Sequence, residues 1–169
     1  MTDLTKIPVT VITGFLGSGK TTLIRHLMQN PQGKRLAILT NGGGIGVLAV
    51  DLLAELGGIP AELSPATRKQ LDAAMPPTWS KANPVDIVGD ADSARYTAAL
   101  ESLLADPGND AVLVMNVQTA IASADEIARA VTDVVRKYRV GHRMLPKPVL
   151  AVWVGADPVV GEILSSAAI

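Results

Sequence analysis

The stretch RLAILTNGGGIGVLAVDLL, residues 35–53, decides the class of fold. A run of apolar residues leads into an asparagine and three glycines. Apolar residues then recur at helical spacing, at Ile45, Leu48, Ala49, Leu52 and Leu56. A buried strand, a glycine turn and an amphipathic helix in this order are typical of a βα unit in a parallel sheet. The glycine turns of such units lie at the carboxyl edge of the sheet, where anions bind in open α/β folds.

The rest of the chain repeats this alternation of strand and helix signals. Further strands are predicted at residues 8–13, 60–63, 83–89, 111–117 and 148–155. Further helices are predicted at residues 21–30, 64–75, 93–105 and 123–138, and we expect the chain to end within a last helix at residues 161–169. The pattern predicts an α/β fold in which helices flank a parallel sheet. A chain of 169 residues is expected to form one such domain, residues 1–169.

Composition limits the classes of partner. Fifteen basic and sixteen acidic residues give a net charge of −1, so we expect neither nucleic acid nor a membrane surface as partner. No segment has the pattern of a signal peptide or a membrane span, and a cytoplasmic location is expected. The chain has no cysteine and only two distant histidines, so neither zinc nor haem is expected. The sequence leaves the oligomeric state open.

A phosphate-binding pattern lies N-terminal to residues 35–53. GFLGSGKT, residues 14–21, satisfies G-x-x-x-x-G-K-[ST] and lies between an apolar strand and an amphipathic helix. Glycines let consecutive backbone N–H groups turn toward one anion, Lys20 reaches the outer phosphates, and the Thr21 hydroxyl can ligate magnesium. The predicted phosphate or nucleotide contacts are Gly14, Phe15, Leu16, Gly17, Ser18, Gly19, Lys20, Thr21 and Thr22, with Thr21 as the magnesium ligand. The alternative is a glycine-rich connection that binds nothing.

The N-terminal segment KIPVTVITGFLGSGKTTLIRHLMQN, residues 6–30, closely resembles the start of the CobW-type metallochaperone GTPases. The resemblance implies GTP as nucleotide, although the motif itself also allows ATP. Three features of that family are missing beyond this segment: its Asn-Glu-Phe-Gly switch, its cysteine motif and its Asn-Lys-x-Asp base-reading motif. The strand at residues 111–117 ends in Asn116 and Val117, where a Walker-B acid is expected. Efficient hydrolysis is therefore not expected, and Asp86 and Asp157 are the remaining candidate acids.

From about residue 33 onward the chain resembles a different family. The segments RLAILTNGGGIGVLAVDLLAELGG, MPPTWS, NPVDIVGDADSARYTAALESLLADPGNDAVLVMNV and KPVLAVWVG are similar to the flavodoxin-like succinyl-CoA-ligase domain of ADP-forming acyl-CoA synthetases. In that family the glycine turn opens a helix whose N-terminus can face the phosphate of a phosphohistidine, which belongs to another domain. The resemblance implies backbone anion contacts from Asn41, Gly42, Gly43 and Gly44. A purely architectural turn is the alternative.

The two resemblances together predict a chimera-like chain, with residues 1–34 as a P-loop βα segment and residues 35–169 as an acyl-CoA-synthetase-type segment. They imply a three-layer α/β sandwich, in which the N-terminal βα unit extends a flavodoxin-like or Rossmann-like parallel sheet. Net basic charge in the first segment gives way to net acidic charge in the second. The first hypothesis is a phosphate- or nucleotide-binding module, engineered or recombinant, with no catalytic residue. The second is a weak magnesium-dependent nucleoside triphosphatase. The third is a purely structural fold chimera or an isolated domain of an ADP-forming acyl-CoA synthetase.

Overall fold

A computed structural model describes residues 33–142 and 146–169. The predicted strand at residues 8–13, the helix at residues 21–30 and the whole P-loop lie outside this part of the chain. The predictions that an N-terminal βα unit extends the sheet and that residues 1–169 form one domain therefore stay predictions. Within the described residues, no helix is both long enough and apolar enough to span a bilayer.

The described residues alternate between strand and helix as predicted. The strands are β1 (Arg35–Thr40), β2 (Ile59–Pro60), β3 (Val85–Asp86), β4 (Ala111–Val117) and β5 (Val149–Val154). The helices are α1 (Gly43–Glu55), α2 (Pro65–Ala74), α3 (Ser93–Ala105), α4 (Ala124–Gly141) and α5 (Pro158–Ser165). The prediction that the chain ends within a helix is wrong, because α5 ends at Ser165 and the N–H of Ile169 closes a turn onto the carbonyl of Leu164.

The strands form one parallel sheet whose central strand is β1. The order along the sheet is β2-β1-β4-β5, and β3 also pairs with β1. Strands β2 and β3 share one edge of β1: β2 pairs with Arg35 and Leu36, and β3 pairs with Leu39 and Thr40. The other edge of β1 pairs with β4. Both edges of β1 are therefore occupied, and the predicted parallel α/β class is confirmed.

Two asparagine side chains complete the hydrogen bonding of β1. Asn83 bridges the gap between β2 and β3, because its Oδ1 accepts from the N–H of Ile38 at 2.9 Å and its Nδ2 donates to the carbonyls of Leu36 and Ala61. Asn41 extends the pairing with β4 beyond the last backbone pair. Its Nδ2 donates to the carbonyl of Val117 at 2.9 Å, and its Oδ1 accepts from the N–H of Val117 at 2.8 Å.

The two faces of the sheet are covered unequally. Helices α2, α3, α4 and α5 pack on the face formed by residues such as Leu39, Val112 and Val149. In the described part of the chain, α1 is the only helix on the opposite face, where Ile38, Leu113 and Met115 are buried. This division follows from right-handed crossovers, because the connection through α1 runs across the sheet in the opposite direction to those through α3 and α4.

An ion pair anchors the amino ends of β1 and β4. The Arg35 guanidinium and backbone N–H donate to the Asp110 carboxylate, with side-chain distances of 3.0 Å and a backbone distance of 2.8 Å. These hydrogen bonds lower the pKa of Asp110 to about 2. Since both side chains are partly exposed, the pair contributes modestly to stability. Its location at the amino edge leaves the carboxyl edge of the sheet for ligands.

Candidate anion site at the carboxyl edge of the sheet

The N-terminus of α1 lies where β1, β3 and β4 end. Gly42 is the N-cap residue, with extended backbone angles and no side chain to cap the helix. By the geometry of an α-helix, the N–H groups of Gly43, Gly44 and Ile45 have no acceptor within the helix. These groups and the helix dipole make the first turn of α1 a site of positive potential.

The glycines of this turn differ in the space that surrounds them. A Cβ at Gly42 would lie 2.7 Å from Cγ2 of Val117, so packing against β4 excludes a side chain there. A Cβ at Gly44 would meet no atom within 4 Å. The turn therefore packs tightly against the sheet at Gly42 and is open at Gly44, which is the side from which an anion can approach.

A carboxylate of the protein itself lies beside this turn. A Cβ at Gly43 would be 2.5 Å from Oδ2 of Asp86, the last residue of β3. Oδ1 of Asp86 accepts from the N–H of Val88 at 2.9 Å. The negative charge of Asp86 next to the positive end of α1 stabilises the helix, and it also opposes a second anion at the same amides.

The polar groups of the residues before α1 are hydrogen-bonded to other groups of the protein. The N–H of Gly42 donates to Oγ1 of Thr40 at 2.9 Å. Asn41 is 4% exposed, and its side-chain amide is committed to Val117. The structure thus brings the four predicted residues together in one turn, and the N–H groups of Gly43 and Gly44 are those left for an anion.

A buried tyrosine supports the carboxyl end of β4 from the other face. The Tyr96 hydroxyl donates to the carbonyl of Met115 at 2.9 Å and accepts from Nδ2 of Asn116 at 3.2 Å. Burial raises the pKa of Tyr96 well above its usual value, so the hydroxyl stays a donor at neutral pH. In the sequence, the polar Asn116 in an otherwise apolar strand is the available signal for such a buried partner.

The two candidate acids are far apart in the fold and each has a structural partner. Asp157 caps α5, where its Oδ1 accepts from the N–H of Val159 at 3.1 Å. It also borders an open depression of about 470 Å³ between residues 118–125 and the start of α5. Within the described residues, no three acidic or histidine side chains are grouped so that they could hold a metal ion.

The predicted P-loop contacts, residues 14–22, lie outside the described residues. The geometry of Lys20 and the magnesium ligand Thr21 therefore stays a prediction. What the structure describes is the second glycine turn and the parallel sheet behind it.

Fold and site together define an α/β domain with a glycine-turn helix at the carboxyl edge of a parallel sheet. A family model for the Ligase-CoA domain matches residues 36–164, and the chain belongs to that family. A second model, described as CobW/HypB/UreG, nucleotide-binding domain, matches residues 8–55. Both predicted resemblances are confirmed, and the two matches share residues 36–55.

Individual relatives also match either the N-terminal part of the chain or the remainder. The alpha subunit of acetate--CoA ligase [ADP-forming] I of Pyrococcus furiosus is 38% identical over 128 residues, which are 76% of this chain and 26% of that protein. The zinc chaperone CobW of Pseudomonas aeruginosa is 54% identical over 44 residues, 26% of this chain and 12% of that protein. The chain thus spans about a quarter of the length of the ligase subunit that it matches.

Solved structures agree with this assignment. The acetyl-coenzyme A synthetase 1 of Ca. Korarchaeum cryptofilum, in complex with phosphate and ADP, superposes with a TM-score of 0.68 at 34% identity, over 80% of this chain and 28% of that one. A Pyrococcus horikoshii protein superposes with a TM-score of 0.76 at 28% identity, over 92% of this chain and 36% of that one. The flavodoxin-like class predicted for residues 35–169 therefore has solved counterparts.

Proposed function

We propose that this chain binds the phosphates of GTP or ATP through residues 14–22, on an α/β scaffold of the Ligase-CoA family, without efficient catalysis. The observation that carries the proposal is the match of residues 8–55 to a nucleotide-binding domain, because those residues contain the complete P-loop pattern. Magnesium, when bound through Thr21 and the nucleotide, would neutralise phosphate charge. In this proposal the chain is a chimera, made by engineering or recombination, of two segments with separate origins.

The surroundings of the candidate acids support a binding role over hydrolysis. Asn116 occupies the place near the end of β4 where a Walker-B acid is expected, and its Nδ2 donates to Tyr96. Asp86 lies against α1, and Asp157 caps α5. Each acid would have to leave its present partner to orient a metal or a water molecule.

Lys20→Ala tests this function. We expect the variant to bind magnesium-GTP and magnesium-ATP at least about 30-fold more weakly than the wild type, because a charge-assisted bond of about 2 kcal/mol is lost. Isothermal titration calorimetry measures both affinities. The control is Lys34→Ala, which removes the same charge at an exposed site and should bind as the wild type does.

Three results would contradict the proposed function. Equal binding by Lys20→Ala and the wild type would exclude the P-loop as the site. Magnesium-dependent phosphate release that is lost in Lys20→Ala would establish the nucleoside triphosphatase instead. If nucleotide binds neither protein and leaves their thermal stability unchanged, the chain is a structural chimera or an isolated ligase domain, since a ligand selective for the native state must stabilise it.

A second candidate function is phosphate binding at α1, favoured by the open side of the turn at Gly44. The N–H groups of Gly43 and Gly44 would donate to the phosphate oxygens. A solved relative in complex with phosphate and ADP supports phosphate as a ligand, and the neighbouring carboxylate of Asp86 would limit the affinity at this helix.

Asp86→Asn is therefore expected to tighten the binding of inorganic phosphate at α1 by about tenfold, because one negative charge near the anion is removed. Chemical shifts of the Gly43 and Gly44 amides, followed by NMR during a phosphate titration, give the affinity at this site. Asp157→Asn makes the same change of charge at the N-cap of α5 and should leave the affinity unchanged. Amide shifts that do not respond to phosphate in either protein would leave the turn a purely architectural element.

A further inference from the structure

The open depression beside Asp157 lies where β4 and β5 end. One wall is the segment of residues 118–125, and the other is the start of α5. Two hydrogen bonds tie the first wall to β5: the indole N–H of Trp153 donates to the carbonyl of Ala124 at 3.2 Å, and the N–H of Gln118 donates to the carbonyl of Val154 at 3.4 Å. Since β5 also leads into α5, one strand holds both walls in place.

Two large apolar side chains of this depression are exposed. Ile121 is 72% exposed, the largest fraction among the large apolar side chains of the described residues, and Val159 is 46% exposed. The other apolar residues of the lining are the alanines at positions 120, 122 and 124. Exposed apolar side chains grouped around a concave surface are a feature of interaction sites. The depression can therefore bury an apolar group of a partner.

The same depression carries two carboxylates. Oδ1 of Asp157 accepts from the N–H of Val159 at 3.1 Å, and Oδ1 of Asp125 accepts from the hydroxyl of Ser123. The bond from Ser123 lowers the pKa of Asp125, which keeps this carboxyl group ionised at neutral pH. Neither carboxylate belongs to an ion pair among the described residues. No lysine, arginine or histidine is among the described residues that line the depression.

Arg129 is the first arginine along α4 after these carboxylates, and it faces elsewhere. It lies one turn beyond Asp125 and lines a separate depression between α4 and the end of α5. Its charge acts on Asp125 more weakly than the hydrogen bond from Ser123 does. The negative potential of the two carboxylates therefore disfavours phosphates in the depression and favours an ammonium or guanidinium group.

The open shape distinguishes a protein segment from a small molecule as the partner. Small-molecule sites enclose most of the surface of their ligand, whereas this depression is open to solvent and has an exposed isoleucine in its wall. A peptide with a basic side chain next to an apolar one matches both features. Its apolar side chain would contact Ile121 and Val159, and its cation would lie near Asp125 and Asp157.

We propose that this depression is a docking surface for a segment of a partner protein in which an arginine or a lysine adjoins a large apolar side chain. The two carboxylates select the cation, and Ile121 with Val159 buries the apolar group. The surface shares no residue with the predicted P-loop or with the turn at Gly43 and Gly44. Docking here therefore requires neither nucleotide nor phosphate, and its test is independent of the proposed function.

Peptide titrations of the full chain, without nucleotide or phosphate, test this docking surface. The probe is acetyl-Leu-Arg-amide, and the amide shifts of Ile121, Asp125 and Val159, followed by NMR, give its affinity. We expect acetyl-Leu-citrulline-amide, which has the same shape without the charge, to bind at least about tenfold more weakly, because it loses the attraction to two carboxylates. Acetyl-Gly-Arg-amide should bind about fivefold more weakly, because it lacks the apolar side chain.

Variants of the acidic residues assign the charge selection to this depression. The double variant Asp125→Asn/Asp157→Asn should bind acetyl-Leu-Arg-amide at least about tenfold more weakly than the wild type. Asparagine retains the N-cap of α5, so the fold of this wall is kept. The control is Glu101→Gln/Asp133→Asn, which removes two acidic charges at exposed positions outside the depression and should leave the affinity unchanged.

Variants of the exposed apolar residues assign the apolar contact. Ile121→Ser should weaken the binding of acetyl-Leu-Arg-amide about fivefold, whereas Val140→Ser, at a position of α4 that is 69% exposed, should leave it unchanged. The proposal is overturned if the peptide shifts none of the three amides, if the citrulline peptide binds as tightly, or if the double asparagine variant binds as the wild type does. It is also overturned if butylguanidine alone binds as tightly as the peptide, since the depression would then be a small-molecule site.

Discussion

Asn41→Ala is expected to lower the free energy of unfolding by about 2–4 kcal/mol, because the N–H and the carbonyl of Val117 lose their partners at a partly buried position of the sheet edge. The side chain bonds Val117 at 2.8 and 2.9 Å. It also fixes the end of β1 from which the glycine turn starts. Urea unfolding followed by circular dichroism measures the change, provided that the slope against denaturant stays constant.

The control for Asn41 is Gln118→Ala, which removes an exposed side-chain amide directly after β4. A change within about 0.5 kcal/mol is expected there, since exposed positions without partners tolerate substitution. If Asn41→Ala is as mild as Gln118→Ala, water replaces the side-chain amide at no cost, and the Asn41 side chain does not stabilise the sheet edge.

Asn83→Ala is expected to have an effect of similar or larger size, about 2–4 kcal/mol, since three backbone groups lose a partner. These are the N–H of Ile38 and the carbonyls of Leu36 and Ala61. The carbonyl of Leu36 keeps the N–H of Ala61 as a donor, whereas no backbone pair of β2 or β3 reaches Ile38. Besides the free energy of unfolding, hydrogen exchange at the Ile38 amide should become faster in the variant.

Asn83→Asp distinguishes the acceptor role of this side chain from its donor role. The carboxylate still accepts from the N–H of Ile38, but it faces the carbonyls of Leu36 and Ala61 without a donor. We expect Asn83→Asp to be at least as destabilising as Asn83→Ala. A variant that retains wild-type stability would mean that the acceptor alone holds β1 at this point.

Much of the fold was predictable from local signals. Residues 111–117 form a continuous apolar run, and residues 93–105 have helical spacing between turn signals; both elements have the predicted bounds. The strand predicted at residues 83–89 shrinks to β3 at Val85–Asp86 because the Asn83 side chain replaces backbone pairing. Such replacement depends on which strands meet in space, and no local pattern reports it.

The site was predictable in position and less so in detail. The glycine triplet correctly indicated a helix N-terminus at the carboxyl edge of the sheet. Helix α1 begins at Gly43, two residues earlier than the apolar spacing indicated, since glycine has poor helix propensity but tolerates close contact with Asp86. The carboxylate of Asp86 reaches the turn from a strand more than forty residues away in sequence, and only the pairing of β3 with β1 places it there.

The edge of β5 has a consequence for solubility. Its sequence, VLAVWV, is a six-residue run without charge, proline or glycine, which is the composition of segments that pair between molecules and aggregate. Within the described residues, no second strand covers its outer edge. Where no strand covers it, this edge is a template for strand addition between chains, and aggregation would be the first visible defect.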